Sequence, residues 1–381
     1  MDRILYEADH DDFRASVRAF LAREVVPHYD DWDRDGIVPH ELFRSIGDLG
    51  LFAAVPEEYG GTGVRDFRFN AVFLEEAARA AVLPAAMGPV LQSDVCMPYL
   101  LELTNDEQKS RWLPGVAAGE TVVAIAMTEP GTGSDLAGIR TRARRDGDHY
   151  VIDGAKTFIS NGINADLVIV AVRTGEHPHR GLSLIVVEAG TEGFERGRNL
   201  DKIGMHAQDT AELSFTGARV PAANLLGEEG AGFFGLTGNL PQERVSLATM
   251  SIAQAAAALE WTTAYVRERK AFGAPIGALQ ATRFRMAELT TEVEVTQAFV
   301  DRCITELNAG RLSAVDAAKA KLWATEVLGR VVDGCVQLHG GYGYMREYPI
   351  ARTYADARIS RIYGGTSEIM KEIVGRSLEL A

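Results

Sequence analysis

Four short stretches of this chain combine residue types that could do chemistry. AMTEPGTGSDLAG at 126–138 sets Gly131, Gly133 and Ser134 in a tight loop, exposing backbone N–H groups and a hydroxyl that suit phosphate or the polar edge of a ring cofactor. RERKAFG at 267–273 offers Arg269 as a two-pronged donor for pyrophosphate and Phe272 as an apolar surface. LPQERVSL at 240–247 sets a carboxylate beside a guanidinium, Glu243 and Arg244. Near the C-terminus, Gly364, Gly365, Thr366, Ser367 and Glu368 read as a flexible pair followed by a helix start, whose N–H groups and side chains suit an anionic ligand.

Each stretch also has a plainer reading. Gly131, Gly133 and Ser134 would make an ordinary turn between strands. Arg269 and Lys270 would be a solvated helix end that complements the dipole. Pro241 looks like a first helical residue, and Glu243 then becomes an acidic first-turn residue facing the same dipole. Thr366 would be a plain N-cap. His339, beside Gly340 and Gly341, reads as a packing or hydrogen-bonding residue rather than a catalyst. The residues by themselves leave these alternatives open.

The elements that must position these groups follow from periodicity. From Asp11 to about Gly119 apolar residues recur at helical spacing, as in Phe13, Val17, Phe20 and Leu21, so residues 1–120 are expected to form an N-terminal α-helical domain. Between Thr121 and Pro221 short β-branched runs take over, TVVAIAM, HYVID, KTFIS, LVIVAV, LSLIVVE and AELSF. They predict a middle β domain at 121–225, a compact barrel or sandwich, with Asp153-Gly154 as a hairpin turn. Residues 226–381 return to helical spacing over 241–269, 279–308, 313–338 and 366–379, which predicts a C-terminal four-helix bundle. The expected class is α+β, and the 381 residues suffice for two or three such units.

Charge and cysteine usage exclude several functions. A formal net charge of -14 disfavours nucleic acid and anionic membrane surfaces as partners, while local arginines still allow an anionic substrate. Cys96, Cys303 and Cys335 are too few and too scattered for a disulfide framework or a zinc site, and are expected to be buried thiols. No run of 18 apolar residues predicts a membrane span, and the acidic start MDRILYEADHDDF does not look like a signal or transit peptide. The expectation is a cytoplasmic protein with no metal and no stable membrane insertion.

The stretch 126–138 resembles the first signature of the acyl-CoA dehydrogenase family, and QLHGGYGYMREYPIARTYAD at 337–356 resembles its second. RERKAFG with Gln280 is similar to a third family segment lying between them. The resemblance therefore runs from end to end, in the order helix, sheet, helix, and it implies an FAD enzyme that acts on acyl-CoA. By resemblance, the main chain at Met127 and Thr128 meets the flavin pyrimidine, Gly133 lies in the cofactor loop, and Ser134 lies between cofactor and CoA. Phe158 and Ser160 would flank the flavin ring, where many members carry Trp and Thr. Arg269 and Phe272 would reach the flavin of a neighbouring subunit, which implies a homotetramer, although Ala271 replaces the family's hydroxyl between them. Gln280, Gln337, Gly340 and Gly341 would contact the adenosine half, and Thr366, Ser367 and Glu368 would hold the cofactor.

One departure matters most. Dehydrogenation next to a thioester needs a carboxylate over the α-carbon, and most members place it immediately before a Gly-Thr pair, where this chain has Gly364. LPQERVSL resembles a minority arrangement, seen in the long-chain and isovaleryl types, in which the base comes from a bundle helix. That resemblance implies Glu243 as the base, Arg244 as a CoA-side or structural cation, and the Gly364 backbone N–H as a donor to the thioester oxygen. Gly365 would extend a glycine pair that leaves volume beside the reacting carbons. Phe234 stands where the long-chain type tends to carry Tyr. The implied activity is oxidation of a long-chain or branched acyl-CoA to trans-2-enoyl-CoA, with electrons passed to an electron-transferring flavoprotein. A flavin-dependent oxidase and a non-catalytic acyl-CoA-binding flavoprotein are the alternatives.

Overall fold

A computed structural model describes residues 3–380. The N-terminal part holds α1 (Ala8–Phe20), α2 (Tyr29–Asp35), α3 (His40–Leu49), α4 (Phe67–Arg79), α5 (Leu83–Val90), α6 (Met97–Leu103) and α7 (Asp106–Ala117). Local chemistry starts several of these. Asp66 accepts the Arg68 backbone N–H at 2.9 Å to cap α4, and Asn105 with Gln108 forms a reciprocal capping box at α7. Between α5 and α6 the path continues through a wide π-type turn, Leu91–Cys96. Such turns are frequent at functional sites, and this one carries Asp94 and Cys96 into the interior.

The middle part holds β1 (Val123–Ala126), β2 (Arg142–Asp146), β3 (His149–Ser160), β4 (Leu167–Arg173), β5 (Leu182–Glu188), β6 (Phe194–Asn199), β7 (Thr210–Pro221) and β8 (Leu225–Leu226). They form one sheet in the order β6-β7-β3-β2-β4-β5-β8, with β1 parallel to β4. The halves meet at a single pair, Arg142 with Arg173. Their inner faces share a core that includes Tyr150, Ile152 and Phe215 from one half and Val168, Val170 and Ile185 from the other, so the sheet folds over on itself. The opposite face of β4 and β5, including Ile169, Leu184 and Val186, packs into the same core as the N-terminal helices. Burial on both faces explains why these strands read as unbroken apolar runs rather than alternating ones.

Asp153-Gly154 is not a hairpin turn. Strand β3 runs straight through it, and the pairing with β7 slips there as a bulge. Gly154 has φ +150°, and a Cβ on it would lie 2.5 Å from Thr141 Oγ1, so close packing against Thr141 demands the glycine.

The C-terminal part holds α8 (Gly232–Glu268), a short ribbon of β9 (Lys270–Ala271) and β10 (Ala274–Pro275), α9 (Gln280–Asn308), α10 (Ala314–His339), α11 (Pro349–Ala357) and α12 (Ser367–Arg376). The long helices share a core that includes Val245, Leu289, Val300 and Leu328, with Phe67 and Ala71 of α4 closing its side. Cys96, Cys303 and Cys335 are all buried free thiols. Among the described residues no helix is long and apolar enough to cross a membrane, and no cluster of His, Cys, Asp or Glu could hold a metal.

Candidate active site

Helix α8 begins at Gly232, so Pro241 lies inside it and not at its start. The breakers Gly232, Gly235, Gly238 and Pro241 argue against helix in sequence. Close approach explains two of them: a Cβ on Gly232 would lie 2.8 Å from the Ser183 backbone, and one on Gly235 would lie 3.1 Å from Leu103 Cδ1. Glu243 is thus about three turns inside the helix, beyond reach of the N-terminal partial charge. The plain reading of this glutamate as a dipole partner therefore fails.

Glu243 lies in the interior with one hydrogen bond. The residue is 5% exposed. Tyr99 Oη of α6 donates to its Oε1 at 2.8 Å, and Oε2 has no hydrogen-bond partner among the described residues. Burial pushes the carboxyl up to about 7, against the Tyr99 hydrogen bond and the Arg244 charge, which both favour the ionised form. A carboxyl poised near neutrality with one free oxygen can accept a proton.

Arg244 is also buried, and its Nε lacks a partner. Burial lowers its pKa, with the Glu243 charge opposing. This interior placement suits the structural cation of the two roles expected for it rather than a CoA-side contact.

The Gly364–Gly365 turn lies against the same stretch of α8. A Cβ on Gly364 would fall 2.2 Å from Cδ1 of Leu247, one helical turn beyond Glu243, and a Cβ on Gly365 would fall 2.6 Å from Met370 Cε. Along the direction a Cβ would take, the ends of the Leu247 and Met370 side chains stand against the glycine pair. Both residues are in left-handed backbone, φ +60° and +96°, a second reason for glycine there. The fully buried Lys321 of α10 donates from Nζ to the Gly365 carbonyl at 2.6 Å and pins the turn. Burial first, and then the neighbouring Arg244 charge, bring this lysine down to about 8.

A second group of residues gathers on the sheet. Thr157 N–H donates to the Thr128 carbonyl at 2.9 Å, joining the loop after β1 to β3. Lys156, fully buried, donates to the Met127 carbonyl at 3.1 Å and pairs with Glu129 at 2.8 Å. Burial opposes charge on both partners of this pair. The lysine is lowered to about 8, whereas its ammonium and the Thr141 and Arg140 donors hold Glu129 below the usual carboxylate range. A bulge in β3 between Lys156 and Ile159 gives Phe158 a φ of +60° and leaves it 68% exposed. Ser160 follows, half-buried, at the end of β3, while Gly133 and Ser134 are exposed on the loop.

Arg269, Gln337, Gly340 and Gly341 line a cavity of about 510 Å³, where Arg269 also stacks 5.4 Å over the Tyr342 ring. A Cβ on Gly340 or Gly341 would meet nothing within 4 Å. The fold itself does not fill that space, and something outside the chain can approach the backbone there. Phe272 is 97% exposed with φ +53° on the β9–β10 ribbon. Phe272 and Gln280, the first residue of α9, stand outside the cavity lining. Thr366 caps α12 by accepting the Ile369 N–H, and Glu368 is exposed in its first turn. Ser367 is buried and its hydroxyl donates to Glu326 at 2.9 Å, so its oxygen can only accept from a ligand. Phe234 is 56% exposed, its ring edge-on to Phe233 at 6.0 Å.

Comparison with known proteins decides the family. Models of the acyl-CoA dehydrogenase N-terminal, middle and C-terminal domains match residues 7–120, 124–218 and 230–379. The chain belongs to the acyl-CoA dehydrogenase family. It is 45% identical over 380 residues to the mitochondrial long-chain specific acyl-CoA dehydrogenase of Sus scrofa, covering 99% of this chain and 88% of that one. An acyl-CoA dehydrogenase from Geobacillus kaustophilus has the same fold, with TM-score 0.96, 47% identity and full coverage of both chains. A glutaryl-CoA dehydrogenase from Mycobacterium smegmatis, solved with FADH2, aligns at TM-score 0.90 and 28% identity over 98% of this chain and 95% of that one. This acyl-CoA dehydrogenase is accordingly an FAD-dependent oxidoreductase acting on acyl-CoA. Its residues fit that cofactor: an open glycine-lined cavity with a guanidinium, and two aromatic faces, Phe158 and Phe272, left uncovered by the chain itself.

Sequence reasoning missed the groups that hold the site from behind. Tyr99 sits in an apolar stretch, MPYLLEL, with no local sign of a partner 144 residues away. Lys156 had a visible signal, a lysine inside the strand run KTFIS. Lys321 had none, because AKAKLW looks like an ordinary helix surface.

Proposed function

We propose that this acyl-CoA dehydrogenase oxidises a long-chain or branched acyl-CoA to the trans-2-enoyl-CoA, with Glu243 as general base. The observation that carries the reading is a buried carboxylate with one free oxygen on α8, beside a glycine turn that has no carboxylate of its own. Glu243 takes the α-proton on Oε2. The Gly364 N–H holds the thioester oxygen, so that charge developing there meets a fixed donor rather than mobile water. Arg244 keeps positive charge near the ionised base. When bound, FAD supplies the acceptor for the hydride leaving the β-carbon.

Arg269, Gln337, Gly340 and Gly341 would hold the adenosine and pyrophosphate part of FAD, together with Gln280 by resemblance. The loop Met127–Ser134, through Thr128 and Gly133, would hold the ring together with Phe158 and Ser160. Thr366, Ser367 and Glu368 would close the cofactor site at the start of α12, and Ser134, Phe234 and Gly365 would border the substrate. The long-chain or branched preference rests on the base position and on the likeness to the long-chain enzyme. Electron-transferring flavoprotein as acceptor, and residence in the cytoplasm, rest on resemblance to bacterial members of the family. The exposed Phe272 supports a homotetramer, in which a neighbouring copy covers that ring.

Anaerobic addition of straight and branched acyl-CoAs of increasing length, read as bleaching of the flavin absorbance, tests this function. Bleaching with long or branched substrates, reoxidised by electron-transferring flavoprotein, is the expected result. Oxygen consumption matching product formation in air would instead assign an oxidase, and no bleaching with any acyl-CoA would assign a binder.

A further inference from the structure

We infer that Tyr99 is a positioning residue for the base: its phenol hydroxyl holds Glu243 Oε1 so that Oε2 alone faces the α-proton. The inference rests on Glu243 being the base. Tyr99 is fully buried, and it is the one hydrogen-bond donor to that carboxylate among the described residues. Donor and acceptor come from different helices, α6 and α8, so the bond fixes the side chain against the N-terminal part rather than against its own helix. Burial, and then the Glu243 charge, raise the Tyr99 phenol well above its usual value. It therefore stays a donor at every working pH.

A donor to one oxygen has two consequences. It restricts the Glu243 side chain to a single aim, which matters because an error of about an angstrom at a reacting atom costs roughly a hundredfold in rate. It also favours the charged form, offsetting part of the burial penalty. Removing it should therefore make the base harder to ionise.

The other groups facing Glu243 do not substitute for Tyr99. Cys96, from the turn before α6, is a buried thiol pushed well above its usual pKa and donates to the Val123 carbonyl instead. Arg244 on α8 makes no ion pair with Glu243 within 4 Å. Lys321 on α10, lying beyond Arg244, is committed to the Gly365 carbonyl. Lys321 titrates in the alkaline range, so the informative quantity is the difference between two enzymes that share it.

The test uses FAD-loaded Tyr99→Phe, which keeps the ring and loses the hydroxyl. Anaerobic bleaching is followed as a function of pH with acyl-CoA varied up to saturation, alongside FAD content. The expected result is full FAD occupancy, an unchanged KM, and an ionisation midpoint displaced to higher pH by about one unit, which gives about a tenfold slower rate on the acid limb. Only part of the rate should return at alkaline pH, because ionising the base does not restore its aim. A uniform loss with an unmoved midpoint would reduce Tyr99 to a packing role and overturn the inference, as would no change at all. Glu243→Gln, run in parallel, separates the two readings. If that variant bleaches normally the base assignment fails; if it does not bleach while Tyr99→Phe keeps the parental midpoint, only the inference fails. Should Tyr99→Phe not fold, parental enzyme grown with 3-fluorotyrosine offers a stronger donor. An acid-shifted midpoint supports the bond, and an unshifted midpoint contradicts it.

Discussion

Two buried carboxylates, Glu243 of α8 and Asp94 bonded to Ser246 of the same helix, are treated in opposite ways. Asp94, carried in by the π-type turn, accepts from Asn70 Nδ2 and Ser93 Oγ, each at 2.6 Å, and from the Ser246 hydroxyl. Its backbone carbonyl accepts from Gln242 Nε2 at 2.9 Å. Glu243, on the adjoining face, accepts from Tyr99 alone. Burial raises the pKa of both, but three donors oppose it at Asp94 and only one hydrogen bond and a neighbouring charge at Glu243. A fully bonded carboxylate joins helices; a half-bonded one has an oxygen left over for a substrate. Saturation, rather than burial, is what distinguishes Asp94 from the proposed base Glu243.

The comparison can be broken at either end. Asp94→Ala should have the largest effect on stability, a loss of ~3–5 kcal/mol, because Asn70, Ser93 and Ser246 are left without their shared acceptor. Urea unfolding of the FAD-loaded variant measures it, and a loss well under 1 kcal/mol would mean those donors find other partners. Glu243→Gln should act with the opposite sign and depend on pH. The folded pKa of about 7 lies above the ordinary value of an unfolded glutamate, so the parental contribution is fully present below the unfolded value. It is lost as pH rises through the folded one, by up to ~3 kcal/mol. The glutamine variant lacks that loss. Its melting temperature, compared with parent between about pH 5 and pH 8, should gain on the parent as pH rises; parallel curves would show that Glu243 ionises normally. Ser246→Ala, which removes one of three donors to Asp94, should cost only ~1 kcal/mol and leave the bleaching rate untouched. A slowed rate in that variant would mean that the two acids are coupled through α8.

Periodicity carried the order of helix, sheet and helix, because a helical stripe and an apolar strand run are local properties. The proposal of Glu243 as base also starts from the sequence, from LPQER and the missing carboxylate at Gly364. The residue's surroundings were not legible there. Gly232, Gly235, Gly238 and Pro241 masked the first turns of α8, since tertiary packing overrode their propensities there. Asp153-Gly154 has the composition of a hairpin, and only the neighbouring Thr141 makes it a bulge. Tyr99 and Lys321 act through contacts between distant parts of the chain. A sequence displays residue types but not which buried donor meets which acceptor, and the division of labour between Asp94 and Glu243 lies wholly in that pairing.

The central claim is that the half-bonded carboxylate does the chemistry, and reductive bleaching of FAD-loaded Glu243→Gln with excess acyl-CoA under anaerobic conditions tests it most directly. The amide keeps the shape and can still meet the Tyr99 hydroxyl, but it cannot accept the α-proton. The account predicts parental FAD content, retained acyl-CoA binding and a bleaching rate lower by at least about a thousandfold. Bleaching at close to the parental rate would contradict it, because the proton would then be leaving to some other group.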